Sequence, residues 1–212
     1  MKASELYQYI KAHLPGITEK NICALQNCTK CNMLQNTLLI DFDAVTKEYC
    51  RGRSTLSSTD GVKNSPNKDN VFYFVEIKSI KDVIINPETN TLTNENNANK
   101  QSTKFITKID KKLPNSIEVC NGLVRDNDLF NANLLPSLVF VSDIDTNQRP
   151  LDSFAMNLKK LSDPPTYYEI VFNQNIKSGL QSIKQKRRVN VYYTYCRLFD
   201  KEFNTDFQNS LI

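Results

Sequence analysis

An acidic and a basic residue, Glu76 and Lys78, interrupt the apolar segment formed by residues 71–80. Because alternate residues of a β-strand lie on one face, the two side chains point to the same side of the strand that this segment predicts. Burial of a carboxylate or an ammonium group is costly unless the charge is paired, hydrogen-bonded or bound to a metal ion. The pair therefore indicates a functional site, and the alternative is an ordinary ion pair at the solvated end of a strand.

Two further acidic residues lie where they could reach Glu76. Asp60 lies in residues 58–63, which predict a short strand that turns into the strand of Glu76 and forms a hairpin with it. Asp43 lies in residues 37–45, which predict another strand. Asp60 is the first candidate, but Asp43 would approach Glu76 instead if the strands paired in another way.

Hydrophobic periodicity and turn residues predict the remaining elements. Predicted helices cover residues 3–14, 18–35, 103–113, 151–161 and 176–186, and predicted strands cover residues 134–144, 167–172 and 189–199. Pro114 is expected to end the helix 103–113, with a further helical turn toward residue 124. Residues 86–102 are expected to form a loop because Asn, Thr and Glu dominate them. The fold class is therefore α/β, with a mixed central β-sheet flanked by helices.

The order of helix, strand, hairpin, helix and strand, with Asp60 on the hairpin and Glu76-Ile77-Lys78 on its second strand, resembles the PD-(D/E)XK nuclease superfamily. The resemblance covers roughly residues 37–145 and implies a restriction-endonuclease-like core. Asp60 departs from the motif because no proline precedes it.

The resemblance implies metal-dependent hydrolysis of phosphodiester bonds in nucleic acid. Asp60, Glu76 and the backbone carbonyl of Ile77 would supply oxygen ligands to Mg²⁺ or Mn²⁺, and Mg²⁺ keeps several waters in its coordination shell. A metal-bound water is a better nucleophile because its pKa is lowered, and the cation neutralises charge that grows on the phosphate. Lys78 would orient that water or help to deprotonate it. Asp43 is a further candidate ligand.

Two groups of basic residues could bind the phosphate backbone. Lys112 lies on the predicted helix after the Glu-x-Lys strand, where members of this superfamily often contribute polar groups to the phosphate site. Lys186, Arg187 and Arg188 form a basic cluster before a tyrosine-rich segment, and this cluster would support phosphate contact at the site only if it lay beside Glu76. A solvated helix surface is the alternative for both groups.

Cysteine spacing raises the question of a zinc site. Four thiolates from Cys23, Cys28, Cys31 and Cys50 could close a tetrahedral zinc site. Their spacing is irregular and lacks the glycine of a zinc knuckle, so reduced cysteines are the expectation and structural zinc is the alternative. The single histidine, His13, argues against histidine-based metal sites and Ser/His or Cys/His catalytic pairs.

Composition sets limits on organisation and location. With 40% hydrophobic content, the 212 residues can bury one substantial core. We expect one domain over residues 1–212, made of a helical cysteine-containing segment 1–36, a core 37–145 and a C-terminal α/β extension 146–212. The chain contains no long apolar run and its first residues do not resemble a signal peptide, which predicts a cytoplasmic protein with no membrane partner.

These features together predict a Mg²⁺-dependent nuclease, with DNA favoured over RNA as the partner. The formal net charge of +4 permits a nucleic-acid partner without requiring one. A non-catalytic module that keeps the nuclease fold and binds DNA or a protein is the alternative. The sequence leaves open whether the chain forms a homodimer.

Overall fold

The computed structural model of the chain describes residues 1–14, 16–25, 35–79, 95–143 and 153–212. The strands in these residues are β1 (Glu19–Lys20), β2 (Leu39–Asp41), β3 (Gly61–Asn64), β4 (Val71–Lys78), β5 (Leu135–Ser142) and β6 (Asn190–Tyr195). The α-helices are α1 (Ala3–His13), α2 (Ile22–Leu25), α3 (Phe42–Tyr49), α4 (Glu95–Val124), α5 (Ser153–Ser162), α6 (Pro164–Arg187) and α7 (Phe199–Asn204). A π-helix (Leu129–Asn133) precedes β5, and a 3₁₀-helix (Cys196–Leu198) leads into α7.

The six strands form one mixed sheet in chain order from β1 to β6. Strands β1 to β4 pair antiparallel, whereas β4, β5 and β6 run parallel. Parallel neighbours need crossover connections, and α4 and α6 occupy these two crossovers. The predicted fold class, a mixed central sheet flanked by helices, is confirmed.

Alternation along β4 divides its side chains between two hydrophobic layers. Phe72 and Phe74 belong to the core that includes residues of α1, α3, α4 and α6. Tyr73 and its alternate neighbours belong to the core on the other face, which includes residues of α7. Glu76 and Lys78 continue the Phe72 and Phe74 series, so they point toward the layer that contains α4.

Helix α4 is continuous through Pro114, where the sequence predicted an interruption. Proline cannot donate a hydrogen bond to the carbonyl four residues earlier. That carbonyl belongs to Asp110, and it accepts a hydrogen bond of 3.1 Å from Arg187 Nη2 of α6. The predicted interruption is therefore wrong, because the hydrogen bond from Arg187 replaces the missing helical hydrogen bond. The loop prediction is also wrong for residues 95–102, which are helical, while residues 86–94 lie outside the described residues.

The predicted strand over residues 37–45 ends at Asp41, and α3 follows directly. Asp41 caps this helix, since its Oδ1 accepts a hydrogen bond of 3.1 Å from the amide of Ala44. Its other oxygen pairs with Lys20 Nζ at 2.7 Å. A capping carboxylate satisfies an amide that the first turn of a helix leaves without a partner. Asp43 therefore lies in the first turn of α3, and the strand prediction is wrong for it.

The predicted strand over residues 167–172 is also wrong, because α6 includes these residues. Buried residues of α6 recur every three or four positions, as a helix packed on one side requires. These are Tyr167, Ile170, Asn173, Ile176, Leu180 and Ile183, and Phe172, next to Asn173, is buried as well. Helices α4 and α6 come close at Gly179, where an added Cβ would overlap the side chain of Ile106.

Other predicted elements agree with the structure. Helix α1, the hairpin of β3 and β4, strand β5 and most of α5 lie where the sequence predicts them. The predicted strand 189–199 ends at Tyr195 because residues 196–204 are helical. A membrane-spanning helix is absent from the described residues, since none of their helices combines the required length and apolar content.

Candidate active site

Asp60 and Glu76 come together because β3 and β4 pair as an antiparallel hairpin. Gly61 pairs with Val75, so Asp60, which directly precedes β3, lies level with Glu76 on the neighbouring strand. Asp60 Oδ2 accepts a hydrogen bond of 2.7 Å from the backbone amide of Ile77. This bond orients the Asp60 carboxylate toward β4.

The ammonium group of Lys112 joins the two carboxylates. Lys112 Nζ lies 3.0 Å and 2.9 Å from the two carboxylate oxygens of Glu76, and 3.3 Å from Asp60 Oδ1. Glu76 is 1% exposed, so water cannot solvate its charge and a cationic partner must do so. Helix α4 thus brings a cation to the centre of the predicted metal site.

Lys78 lies on the more open side of Glu76. Its Nζ is 3.5 Å from Glu76 Oε1, and its side chain is 27% exposed. The same ammonium group lies 5.6 Å from the centre of the Phe105 ring, within range of a cation–π contact. Lys78 is therefore held beside the carboxylate while it remains within reach of solvent or a ligand.

The loop before β3 is held against α4. The hydroxyl of Ser116 accepts a hydrogen bond of 2.9 Å from the amide of Thr59 and donates one of 2.9 Å to the carbonyl of Lys112. Ser116 and Thr59 are both fully buried. The loop that leads into Asp60 is therefore attached to α4 one helical turn beyond Lys112.

The surroundings of Glu76 and Lys112 raise the pKa of both groups. Burial raises the pKa of Glu76 to about 7, and the negative charge of Asp60 adds to this shift. The ammonium groups of Lys112 and Lys78 offset it only in part. For Lys112, burial favours loss of the proton, but the charges of Glu76, Asp60 and Asp43 outweigh burial and raise its pKa. Lys112 is therefore charged at neutral pH, where Glu76 is close to the midpoint of its titration.

Asp43 lies near this cluster, beside the loop that leads into Asp60. Its Oδ1 accepts a hydrogen bond of 2.8 Å from the hydroxyl of Ser58, in the same loop that leads into Asp60. Its charge also contributes to the raised pKa of Lys112. The structure thus brings Asp60, rather than Asp43, to the position beside Glu76 that the hairpin predicts.

A cavity of about 420 Å³ opens beside Glu76. Four ammonium groups, an aromatic ring and an amide form the rest of its lining, from Lys78, Gln101, Lys104, Phe105, Lys108 and Lys112. Residues 104, 108 and 112 follow one another at single-turn spacing on α4, so their side chains lie on one face of the helix. A cavity with this lining suits an anionic ligand.

Lys104 and Lys108 belong to the site, although they were not predicted there from the sequence. Their four-residue spacing to Lys112 was a usable signal, because it places all three on one helical face. All three lysines lie in the predicted helix over residues 103–113, but only Lys112 was considered as a phosphate contact. Gln101 was missed because the predicted loop extended to residue 102.

The basic cluster near the C-terminus does not lie beside Glu76. Lys186 Nζ and Arg187 Nε bind the carboxylate of Asp110 at 2.5 Å and 2.8 Å. Arg188 lines a different cavity at the beginning of β5. The pairing of β4 with β5 puts that end of the sheet five residues, or roughly 16 Å, from Glu76. The condition set for phosphate contact at this site is therefore not met, and binding by these residues elsewhere stays a prediction.

The cysteine prediction falls largely outside the described residues. Cys28 and Cys31 belong to residues 26–34, which are not described, while Cys23 is half-buried and Cys50 is buried. The predicted helix over residues 18–35 is replaced at its start by β1 and α2. The zinc site therefore stays a prediction.

The acidic side chains of the site limit how a metal ion could bind. Within the described parts of the chain, no three His, Cys, Asp or Glu side chains are grouped so that they could hold a metal ion. Two carboxylates that share one cation still fit Mg²⁺ or Mn²⁺, because Mg²⁺ is commonly bound through one or two carboxylates and waters. Ile77, the predicted carbonyl ligand, lies between Glu76 and Lys78, and its amide holds Asp60. The set fits a divalent cation on the condition that Lys112 gives up its place.

Comparison of the chain with protein-family models, curated protein sequences and solved structures finds no significant match. The functional interpretation therefore depends on the geometry of the site.

The raised pKa of Glu76 predicts how stability depends on pH. A carboxyl whose pKa is higher in the folded state stabilises the fold fully below its unfolded pKa, and this stabilisation is lost as pH rises through the folded pKa. Between the ordinary value of 4.5 and about 7, we expect the parent to lose free energy of unfolding relative to Glu76→Gln. The loss should be about 1.4 kcal/mol for each unit of pKa shift.

Urea unfolding of the parent and Glu76→Gln between pH 4.5 and about pH 7 measures this difference in the free energy of unfolding. Glu118→Gln is the matched control, because Glu118 is an exposed glutamate on the same helix as Lys112. Parallel pH profiles for the parent and Glu76→Gln would contradict the raised pKa.

Proposed function

We propose that this chain is a metal-dependent nuclease of the PD-(D/E)XK type that hydrolyses phosphodiester bonds in nucleic acid, with DNA as the first substrate to test. The observation that carries the proposal is that Asp60, directly before β3, and Glu76 of β4 share one cation position, with Lys78 beside Glu76. Charges buried at this position carry a desolvation penalty that apolar residues would avoid, so the presence of the carboxylates favours a functional role. A cytoplasmic location, as the sequence predicts, is part of the proposal.

The residues of the site divide the proposed chemistry between them. Asp60 and Glu76 would hold Mg²⁺ or Mn²⁺, with the carbonyl of Ile77 as the candidate third ligand. A bound divalent cation lowers the pKa of its water and neutralises charge on the scissile phosphate. Lys78 would orient the attacking water through its ammonium group and attract the phosphate.

The lysines of α4 support a polyanionic substrate. Lys104 and Lys108 are exposed, and neither forms an ion pair with any other described residue. Their row leads along the cavity toward Lys112 and Glu76. Contacts between lysines and phosphates position a nucleic acid but do not read its bases. We therefore propose that this surface binds the backbone of one strand with little dependence on sequence.

A non-catalytic module is the second candidate, and the position of Lys112 favours it. Its ammonium group lies within 3.3 Å of both carboxylates, so the buried acids are compensated without a metal ion. In such a module the lysine row would bind nucleic acid while the carboxylates serve only to hold α4 on the sheet. Binding without hydrolysis would then persist in the presence of chelator.

The nuclease proposal predicts that hydrolysis depends on Lys78. Purified chain incubated with labelled DNA and RNA in Mg²⁺ or Mn²⁺ should release cleavage products, and chelator should stop the reaction. Lys78→Ala should lower the rate by about 100-fold or more, because a group that assists proton transfer typically contributes that factor. Gel analysis of the products over time measures both rates.

Lys111→Ala is the matched control for this substitution. Lys111 is exposed on α4 and does not line the cavity, so its loss should leave the rate within about twofold of the parent. Equal hydrolysis by the parent and Lys78→Ala would contradict the assignment and indicate a contaminating enzyme or another site.

The lysine row predicts a change in the salt dependence of binding. We expect the double variant Lys104→Gln/Lys108→Gln to bind a DNA duplex more weakly in chelator. The slope of log affinity against log salt is negative, and its magnitude should decrease by about 0.9 for each lost phosphate contact. Fluorescence anisotropy at several salt concentrations measures this slope.

The control for the lysine row removes the same number of charges from the same helix. Lys100→Gln/Lys111→Gln changes two exposed lysines outside the cavity lining, and should reduce the slope less than the first variant. An equal reduction in both double variants would show that the site has no special role in backbone binding.

A further inference from the structure

The ammonium group of Lys112 stands where the two carboxylates would bind a metal ion. Its nitrogen lies within 3.0 Å of both Glu76 oxygens and 3.3 Å from Asp60. We propose that Lys112 is an exchangeable internal cation, which leaves the carboxylates when a divalent ion enters, and that a bound polyanion promotes the exchange. This inference rests on the proposed function, because it concerns the metal site of the proposed nuclease.

The charges of the cluster make simple addition of a metal ion unfavourable. Asp60, Glu76, Lys78 and Lys112 form a neutral group when all four are ionised. A divalent ion added to this group would leave a double positive charge next to a side chain that is 1% exposed. Departure of Lys112 removes one of these charges, and an arriving phosphate removes another.

The cavity gives Lys112 a place to go. Lys112 is part of the lining, so its flexible side chain can turn toward the opening while its backbone stays in α4. Lys78, Lys104 and Lys108 also line this cavity. A further ammonium group is repelled there unless an anion is present.

Metal binding and polyanion binding therefore reinforce each other through Lys112. Without a polyanion, the carboxylates hold Lys112 and the metal ion competes with it. With phosphates in the cavity, Lys112 moves toward them and exposes Asp60 and Glu76 to the metal ion. By thermodynamic linkage, each ligand raises the affinity of the other by the same factor.

Mn²⁺ binding to the full chain tests the exchange without depending on hydrolysis. Free Mn²⁺ is measured by electron paramagnetic resonance at pH 8, with and without a phosphorothioate DNA duplex, and Mn²⁺ bound by the duplex alone is subtracted. The duplex should raise the Mn²⁺ affinity of the parent about tenfold or more, within the usual range of coupling between sites. Glu76→Gln should abolish this binding, which assigns it to the site.

Substitutions at position 112 separate the charge of Lys112 from its bulk. Lys112→Met should bind Mn²⁺ at least about tenfold more tightly than the parent without DNA, and the duplex should then change its affinity by less than about threefold. Lys112→Arg keeps the charge and should bind Mn²⁺ weakly without DNA. Lys111→Met, on an exposed part of the same helix, should behave as the parent does.

Two results would overturn the exchange. One is a folded Lys112→Met chain that binds Mn²⁺ no more tightly than the parent. The other is a parent whose Mn²⁺ affinity is the same with and without the duplex, which decides the question even if Lys112→Met fails to fold.

Hydrolysis separates this inference from the proposed function. Coupled Mn²⁺ and DNA binding without any cleavage would support the exchange and contradict the nuclease. Cleavage that depends on Lys78, combined with a Mn²⁺ affinity that is indifferent to Lys112, would contradict the exchange and leave the nuclease proposal intact.

Discussion

The carboxylate of Glu76 is buried beside a second carboxylate, and this charge needs a cation. Glu76 lies on the inner face of β4, level with Asp60, so water cannot compensate either group fully. Lys112 supplies the compensation from α4. Helix α4 must therefore cross the C-terminal half of β4 at the position where Lys112 reaches Glu76 and Asp60. The contact between Ser116 and the loop before β3 holds the helix at this position. The ion pairs of Lys112 thus connect the candidate site to the packing of α4 on the sheet.

The position of α4 also depends on Pro114 and on Arg187 of the basic cluster. Proline leaves the carbonyl of Asp110 without its helical partner, and Arg187 of α6 binds both that carbonyl and the Asp110 side chain. A residue that the sequence offers as a nucleic-acid contact thus ties two helices together. The cationic surface that remains available beside Glu76 comes from Lys78, Lys104 and Lys108. Charge near the site and charge that stabilises the helical layer are therefore supplied by different residues.

Local patterns in the sequence predict the centre of the site, while tertiary contacts decide its surroundings. The two-residue period of β4 places Glu76 and Lys78 on one face, and the turn before β4 brings Asp60 next to them. The end of β2 was missed because Asp41 caps a helix in a segment whose apolar residues alternate as in a strand. The continuity of α4 could not be predicted, since it requires a hydrogen bond from a side chain far along the sequence. The role of Lys112 as a bridge likewise depends on the packing of α4 over β4.

A double-mutant cycle in the free energy of unfolding tests the shared cation position most directly. The chains are the parent, Glu76→Gln, Lys112→Met and the double variant, unfolded in urea at pH 8, where Glu76 is ionised. If the Lys112 ammonium compensates the buried carboxylate, the two substitutions should be coupled by about 1.5 kcal/mol or more. Effects that add to within about 0.5 kcal/mol would contradict a cation position built from Glu76 and its neighbours.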